Sequence, residues 1–361
     1  MQMYNLNLQQ AADLVLASRF GRTAVLLQGH MGCGKTSIGK TLAAALPTHT
    51  LCYFDCTTKS LGDVMVPNIK DMHGNDFVRF APNEEFGVHL NKPVILNIDE
   101  YGKADPSTKN ALLRVMQEFQ VGPYPLPEGS IVFATTNLGA EGVGDLLPPH
   151  ARNRITTVTL RKPTAMEFIE WGISNGIDHA ILGWVKDNPH CMQSFEEVKD
   201  PEENPYIYHP RSTRAAFVTP RSLEKASNWL KHRRSLDNTT LTAALIGTLG
   251  AQAAMDMAAF IEMADKLPTL DSIKKSPDTA LVPDNVAAVC MVVYRVLGCI
   301  DKSWVEAWHT YLQRLPNEAQ ALFVNGVRSD KYNNERRIAV MNAPSFTQWV
   351  HKFSYLFGGD Q

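Results

Sequence analysis

A glycine-rich segment near the N-terminus has the spacing of a phosphate-binding loop. Residues 29–36, Gly-His-Met-Gly-Cys-Gly-Lys-Thr, fit the pattern G-x-x-x-x-G-K-[ST] between an apolar run and a helical pattern. Glycines in such a turn let backbone N–H groups converge on phosphate oxygens, and the helix start adds positive potential. We expect Lys35 to reach the β and γ phosphates and the Thr36 hydroxyl to ligate Mg²⁺. The predicted binding residues are Gly29, His30, Met31, Gly32, Cys33, Gly34, Lys35, Thr36 and Ser37.

Two adjacent carboxylates end a second apolar run. Asp99 and Glu100 directly follow the run from Val94 to Ile98. The carboxyl ends of strands in a parallel sheet are where ligands bind. We expect Asp99 to belong to the Mg²⁺ shell and Glu100 to orient or deprotonate a water molecule. The alternative is a solvated Asp-Glu turn, which the preceding phosphate loop disfavours.

A third apolar run ends in the polar sequence Ala134 to Asn137. A polar side chain at this strand end could reach a γ-phosphate or an attacking water. The alternative is an asparagine that ends a strand in a turn. The motif alone does not decide between these two interpretations.

The elements around these motifs alternate between strands and helices. Helical patterns over 36–46 and 105–120 lie between short apolar runs, and this order favours a five-stranded parallel α/β sheet. Several of the runs are almost continuously apolar, as is typical of buried parallel strands. The five predicted strands are Thr23–Gln28, Leu51–Asp55, Pro93–Ile98, Ser130–Thr136 and Ile155–Leu160.

The pattern changes at Lys162-Pro163, beyond which the sequence indicates helices and no buried strand. A polar, proline-marked stretch over 265–284 separates a last helical part, 285–361. Trp171, Trp184 and Trp229 occupy helical positions among apolar residues and are expected in the core. The predicted helices before the polar stretch span 164–175, 178–188, 220–231 and 239–254.

Together these residues resemble the AAA+ ATPases, and more narrowly the MoxR group. The stretch from Asp99 to Ile155 resembles the family's Walker B motif, helix, hairpin, sensor 1 and arginine-finger segment in the family's order. The resemblance covers about residues 20–230 and implies a P-loop NTPase core over 1–162 and a helical lid over 163–264. No motif covers the remaining part, 265–361, which we expect to be an all-helical extension.

The resemblance also assigns roles to single residues. Asn137 falls at the sensor 1 position, and Arg154 falls where the family has its arginine finger, with Arg152 as a second candidate. Arg221 opens a predicted lid helix and matches the sensor 2 arginine, which would touch the γ-phosphate.

The residues next to the finger depart from the family pattern. The family usually has Asp before the finger and Phe after it, whereas this chain has Asn153 and Ile155 around Arg154. Different neighbours would change how the Arg154 side chain is oriented toward a nucleotide.

A hairpin insert is predicted over about residues 61–86. The runs Asn68–Asp71 and Phe77–Phe80 flank a His-Gly-Asn-Asp turn, a pattern typical of a β-hairpin. Related inserts project toward a ring pore, which implies a substrate contact. The alternative is a stabilising flap at a subunit interface.

Composition and charge exclude several classes of protein. The chain has 361 residues, 44% hydrophobic and 20% charged, and Lys plus Arg (35) nearly balance Asp plus Glu (37), for a net charge of −2. This balance disfavours binding of nucleic acid by bulk charge. The six cysteines form no CxxC pair, so neither a zinc site nor a disulfide framework is predicted. The sequence also shows no signal peptide and no apolar run that could cross a membrane, so we expect a cytoplasmic location and no membrane partner.

The resemblance implies an ATPase that uses ATP and Mg²⁺. Because an arginine finger acts on a neighbour's nucleotide, it also implies a homo-oligomeric ring, with a hexamer expected. Hydrolysis would drive remodelling or assembly of a protein client, for which MoxR-type proteins offer a von Willebrand factor A domain protein as partner.

Two alternatives stay open: a nucleic-acid motor similar to the McrB type, and a nucleotide-gated scaffold with little turnover. The net charge disfavours the first, and the Asp99-Glu100 pair argues against the second. The phosphate loop does not distinguish ATP from GTP.

Overall fold

The computed structural model describes residues 5–72, 75–139, 153–346 and Trp349. The chain forms two compact units, Met1–Lys162 and Pro163–Gln361. The division of the second unit into a lid and an extension at residue 264 stays a prediction.

The first unit is built on a six-stranded parallel sheet in the order β1-β10-β2-β9-β6-β3. The five strands predicted from sequence all belong to it, and β1 adds a sixth at the edge, paired with β10. With only two residues, β1 is too short to give a hydrophobic pattern. The strands of the first unit are β1 (Asn5–Leu6), β2 (Val25–Gly29), β3 (Thr50–Asp55), β4 (Met65–Met72), β5 (Asn75–Pro82), β6 (Val94–Asp99), β7 (Gln120–Val121), β8 (Tyr124–Pro125), β9 (Ile131–Thr136) and β10 (Thr156–Leu160).

Both faces of the sheet are covered, which explains the nearly continuous apolar runs of its central strands. Every residue of β6 and β9 is buried. Successive side chains of a strand point to opposite faces, so Leu26 and Val25 belong to two different hydrophobic cores. The first core includes Leu112 of a helix, and the second includes Val15 and Ile38 of two other helices.

Four α-helices accompany the sheet in the described part of the first unit, and local capping explains where the longest of them begins. Asp105 accepts hydrogen bonds from the backbone N–H groups of Ser107 and Thr108, and Pro106 occupies the first helical turn. The helix ends at Glu118, and the next residue, Phe119, has the left-handed conformation that caps it. The four helices are α1 (Leu8–Ser18), α2 (Ser37–Ala45), α3 (Leu61–Val64) and α4 (Pro106–Glu118).

An antiparallel hairpin, β4–β5, lies in the connection between β3 and β6. Its register pairs Met65 with Pro82 and Ile69 with Val78. Ile69 and Val78 are largely exposed. The hairpin stands where the sequence predicts an insert, and its role stays a prediction.

The second unit, as far as the structure describes it, is entirely helical. A continuous hydrophobic core runs from Phe168 to Trp349. Trp184 is fully buried and Trp171 packs against this core, whereas Trp229 is 44% exposed, so its predicted burial was wrong. The α-helices are α5 (Ala165–Ser174), α6 (His179–Asp187), α7 (Pro220–Lys231), α8 (Asn238–Leu249), α9 (Ala251–Asp265), α10 (Leu270–Lys275), α11 (Val286–Leu297), α12 (Val305–Leu312), α13 (Asn317–Arg328) and α14 (Asn334–Met341).

The single helix predicted over 239–254 is instead two helices, α8 and α9, separated by Gly250. This glycine has φ +89°, a conformation that residues with a side chain rarely adopt. A Cβ at this position would also lie 2.7 Å from the backbone oxygen of Ala216. The break therefore depends on a close backbone approach that the helical periodicity does not reveal.

Among the described residues, no helix is both long enough and apolar enough to cross a membrane.

Candidate functional site

The predicted phosphate loop connects the end of β2 to the start of α2. Gly32 and Gly34 have φ +69° and φ +98°, so both positions use backbone conformations that favour glycine. The loop then turns directly into the helix, where the Ser37 N–H donates to the Gly34 carbonyl at 2.9 Å. The local sequence thus produces the tight turn and the helix start that a phosphate requires.

Lys35 is buried at the centre of this loop. Its Nζ donates to the carbonyl oxygens of Gly29 at 2.7 Å and His30 at 2.8 Å. It also donates to Oδ1 of Asn137 at 2.9 Å. Three oxygen acceptors therefore surround the ammonium, which links the loop to the end of β9.

Asp99, the last residue of β6, has hydroxyl groups around its carboxylate. The Thr36 Oγ1 lies 3.2 Å from Oδ2 and 3.4 Å from Oδ1. The Tyr53 hydroxyl donates to Oδ2 at 2.6 Å, and the Thr135 hydroxyl donates to Oδ1. Thr36 and Asp99 thus place two oxygen groups that can ligate a metal next to the phosphate loop.

This pair fits the way proteins hold Mg²⁺, which takes oxygen ligands and is usually bound by one or two carboxylates together with substrate phosphates. Among the described residues, no group of three or more His, Cys, Asp or Glu side chains forms a metal cage. A cation here would accordingly take its remaining ligands from phosphate and water oxygens.

Glu100 follows Asp99 in a strained backbone conformation. Its φ of 54° and ψ of 36° place it in the left-handed region, which is uncommon for a residue with a side chain. Nδ2 of Asn137 donates to its Oε2 at 3.3 Å, and Nζ of Lys103 forms an ion pair with the same oxygen at 3.2 Å. The Glu100 carboxylate is therefore held next to Asn137, at the carboxyl ends of β6 and β9.

The fold thus brings together the residues predicted from three separate motifs. β2, β9 and β6 are neighbours in the sheet, so their carboxyl ends lie side by side. Asn137 joins the two sides of the cluster because it contacts both Lys35 and Glu100.

The two predicted arginines are both exposed, one in each unit. Arg154 is exposed near the start of β10, where its Nη1 donates to Oε1 of Gln117 at 3.3 Å. Arg221 is exposed in the first turn of α7, in the second unit. Arg152 lies outside the described residues.

Sequence reasoning missed the two residues that donate to Asp99 from neighbouring strands, Tyr53 and Thr135. Tyr53 reads as one more apolar residue of a strand, and Thr135 as part of a polar strand end. Burial raises the pKa of the Tyr53 hydroxyl, and its hydrogen bond to Asp99 raises this pKa further. The phenol is therefore protonated at neutral pH and acts as a donor.

A cysteine next to the cluster is kept protonated as well. Burial, and then the negative charges of Asp55, Asp99 and Glu100, raise the pKa of the Cys56 thiol to about 12. A neutral thiol is a poor nucleophile, so Cys56 is not expected to act as one.

Comparison with known proteins agrees with this geometry. Residues 25–162 match the model of the AAA family, described as "ATPase family associated with various cellular activities". No curated protein matches the chain in sequence.

The similarity to solved structures is distant. One is a closed-state cryo-EM reconstruction of Hsp104 with ATPγS and FITC-casein, at 18% identity and a TM-score of 0.37. That match covers 69% of this chain and only 43% of the Hsp104 chain. Another is a proline-to-glycine mutant of RuvB from Thermotoga maritima, at 15% identity, with 85% of this chain and 87% of that chain covered and a TM-score of 0.37.

The family match extends from the first residue of β2 to just beyond β10, and it contains the phosphate loop, the two carboxylates and Asn137. The first unit therefore has the P-loop NTPase fold, residues 25–162 are similar to the AAA ATPase family, and a helical C-terminal region follows.

Proposed function

We propose that this protein is a Mg²⁺-dependent ATP hydrolase of the MoxR-like AAA+ type, which forms a ring and remodels or assembles a protein partner. The observation that carries the hydrolase assignment is a cluster at the carboxyl ends of β2, β9 and β6. It consists of Lys35, Thr36, Asp99, Glu100 and Asn137. These are the residue types that phosphoryl transfer to water needs: a cation, a metal-binding pair, a base and a polar group between them.

In this proposal each residue of the cluster has a separate task. Lys35 exchanges its carbonyl acceptors for the β and γ phosphates, and Thr36 and Asp99 hold Mg²⁺. When bound by Thr36 and Asp99, Mg²⁺ would supply positive charge that offsets the negative charge developing on the phosphate. Glu100 orients the attacking water and accepts its proton, and Asn137 keeps the Glu100 carboxylate near the γ-phosphate.

The ring is proposed from Arg154. Its guanidinium is exposed, donates a hydrogen bond to Gln117 and, together with the nearer Arg114, lowers the pKa of the Glu118 carboxyl. An exposed cation of this kind can act on the nucleotide of a neighbouring subunit, as an arginine finger does. We propose a hexamer, in which Arg221 supplies a second cation from the helical region.

The protein partner rests on the MoxR resemblance alone. We propose a client protein, with a von Willebrand factor A domain protein as the first candidate. Capture of a client by an ATP-bound Glu100→Gln trap would test this assignment. Stimulation of ATP hydrolysis by DNA, with no captured protein, would instead favour a nucleic-acid motor.

The hydrolase assignment is tested by Lys35→Ala, measured as ATP affinity. This change removes the cation at the centre of the loop, so we expect nucleotide binding to be lost. Lys40→Ala is the matched control, because Lys40 is exposed farther along α2. Circular dichroism should show that both variants are folded. An ATP affinity of Lys35→Ala within about twofold of wild type, against the large loss expected for a phosphate-binding lysine, would refute the phosphate loop.

A further inference from the structure

We propose that Tyr53 and Thr135 form a hydroxyl clamp that orients the Asp99 carboxylate for a divalent cation of the Mg²⁺ class. Both are positioning residues, because they act through Asp99. This inference rests on the proposed function and adds two residues that the phosphate-loop and strand-end motifs do not contain.

The clamp follows from the order of the strands. β6, which ends in Asp99, lies between β3 and β9 in the sheet. Asp55 of β3 is paired with Asp99, and Tyr53 lies two residues earlier on the same face of that strand. On the other side Ala134 of β9 is paired with Ile98, so Thr135 comes next to Asp99. Each neighbouring strand therefore supplies one hydroxyl.

Each of the two hydroxyls donates to a different oxygen of the Asp99 carboxylate. Tyr53 donates to Oδ2 at 2.6 Å, and Thr135 donates to Oδ1. Thr36, the other predicted Mg²⁺ ligand, is farther from the same oxygens, at 3.2 and 3.4 Å. With both oxygens held by neighbouring strands, the plane of the carboxylate is set before a cation arrives.

The longer Thr36 contacts would give way when Thr36 itself turns to the cation, and each Asp99 oxygen would then accept one hydrogen bond from the clamp and keep another lone pair for the metal. Hydrogen bonds to a ligating side chain fix its orientation, and their loss typically weakens metal binding by about 10–100-fold. Thr135 is fully buried, so its bond is shielded from water. Tyr53 is 44% exposed, but its hydroxyl approaches Asp99 closely.

The test is a Mg²⁺ titration of nucleotide binding with a non-hydrolysable fluorescent ATP analogue, for wild type, Tyr53→Phe and Thr135→Val. We expect each variant to need roughly tenfold more Mg²⁺ for half-maximal effect, the low end for lost hydrogen bonds to a metal ligand. Affinity for the analogue without Mg²⁺ should stay at the wild-type value, because the phosphate loop is untouched. Electron paramagnetic resonance of Mn²⁺ should show the same weakening directly.

Two further variants separate hydroxyl loss from general damage. Thr135→Ser keeps a hydroxyl and should restore the wild-type midpoint. Tyr124→Phe removes a phenol from β8, at a distance from the motif, and should shift nothing. If Thr135→Val fails to fold, Tyr53→Phe decides, because its ring is retained and the lost hydroxyl lies on a half-exposed side chain.

An unchanged Mg²⁺ midpoint in folded Tyr53→Phe would overturn the clamp. A lower midpoint would overturn it too, because the hydroxyl would then compete with the cation. These results leave nucleotide binding by wild type intact, so the proposed function would survive them. If wild type itself bound no nucleotide, the proposed function and the clamp would fail together.

Discussion

The cluster at the carboxyl ends of β2, β9 and β6 differs from the two exposed arginines in burial and in how many groups contact each side chain. Lys35 and Asp99 are almost fully buried, and each contacts groups from other elements of the same unit. Arg154 and Arg221 are exposed, and Arg154 contacts its own unit at the surface, through Gln117 and the charge of Glu118. The fold of the first unit therefore determines the positions in the cluster, whereas the arginines present exposed cationic groups at the surface.

Because of this difference, we expect cluster variants and arginine variants to differ in their effects on stability and on turnover. A buried hydrogen-bonded group that loses its partner costs about 1–3 kcal/mol, so changes in the cluster are expected to affect the folded state as well as catalysis. Replacing an exposed cation usually changes stability by no more than about 0.5 kcal/mol. Variants of the arginines should accordingly alter turnover with little change in the free energy of unfolding.

Arg154→Ala has the largest expected effect on hydrolysis. Loss of an arginine finger should slow turnover by roughly 10³-fold, while ATP affinity stays normal because the subunit's own cluster is intact. Lys40→Ala is the matched control, since Lys40 is an exposed cation on α2 of the same unit. Steady-state hydrolysis, ATP affinity and thermal unfolding would be measured for both variants.

The same variant tests action between subunits. Mixed with inactive Glu100→Gln protein, Arg154→Ala subunits should regain activity wherever a Glu100→Gln neighbour lends its arginine. The recovered rate should peak near equal proportions and vanish on dilution. Demonstrated subunit exchange without recovered activity would count against Arg154 as the finger, and Arg152 would then be tested.

Glu100→Gln is expected to have the next largest effect. The amide cannot accept the proton of the attacking water, so hydrolysis should fall by about 10²-fold or more. ATP affinity should be kept, because Lys35, Thr36 and Asp99 remain. Glu128→Gln, at an exposed loop position, is the control for the change of charge. Turnover of Glu100→Gln at the wild-type rate would exclude Glu100 as the base.

Much of the α/β unit could be predicted from sequence because of how it is buried. Strands such as β6 and β9 are covered on both faces, so they appear as uninterrupted apolar runs with ends correct to within one or two residues. The phosphate loop and the Asp99-Glu100 pair could be found because their residue types have a fixed spacing next to such a run.

The remaining features depend on contacts between distant parts of the chain. Gly250 looks tolerable within a helical pattern, and only the nearby Ala216 backbone shows why the helix breaks. Trp229 has the position of a core residue, but no described element covers it fully. Tyr53 meets Asp99 because β3 and β6 are neighbours, and strand order is not written in the local pattern.

Arg221→Ala has the smallest expected effect on turnover among these variants. It tests whether an exposed arginine has a specific role or only adds positive charge. Arg221 belongs to the second unit, where it stands in the first turn of α7 behind the Thr219 cap. If it contributes one charged hydrogen bond to the γ-phosphate, its loss should cost about 1.5–3 kcal/mol, or roughly 10–100-fold in turnover or ATP affinity. The control is Lys225→Ala, an exposed cation one turn farther along the same helix. Because both side chains lie on the surface of α7, both variants should unfold at the wild-type temperature. An equal effect of the two variants would mean that α7 offers only general positive charge, and Arg221 would then have no specific role at the nucleotide.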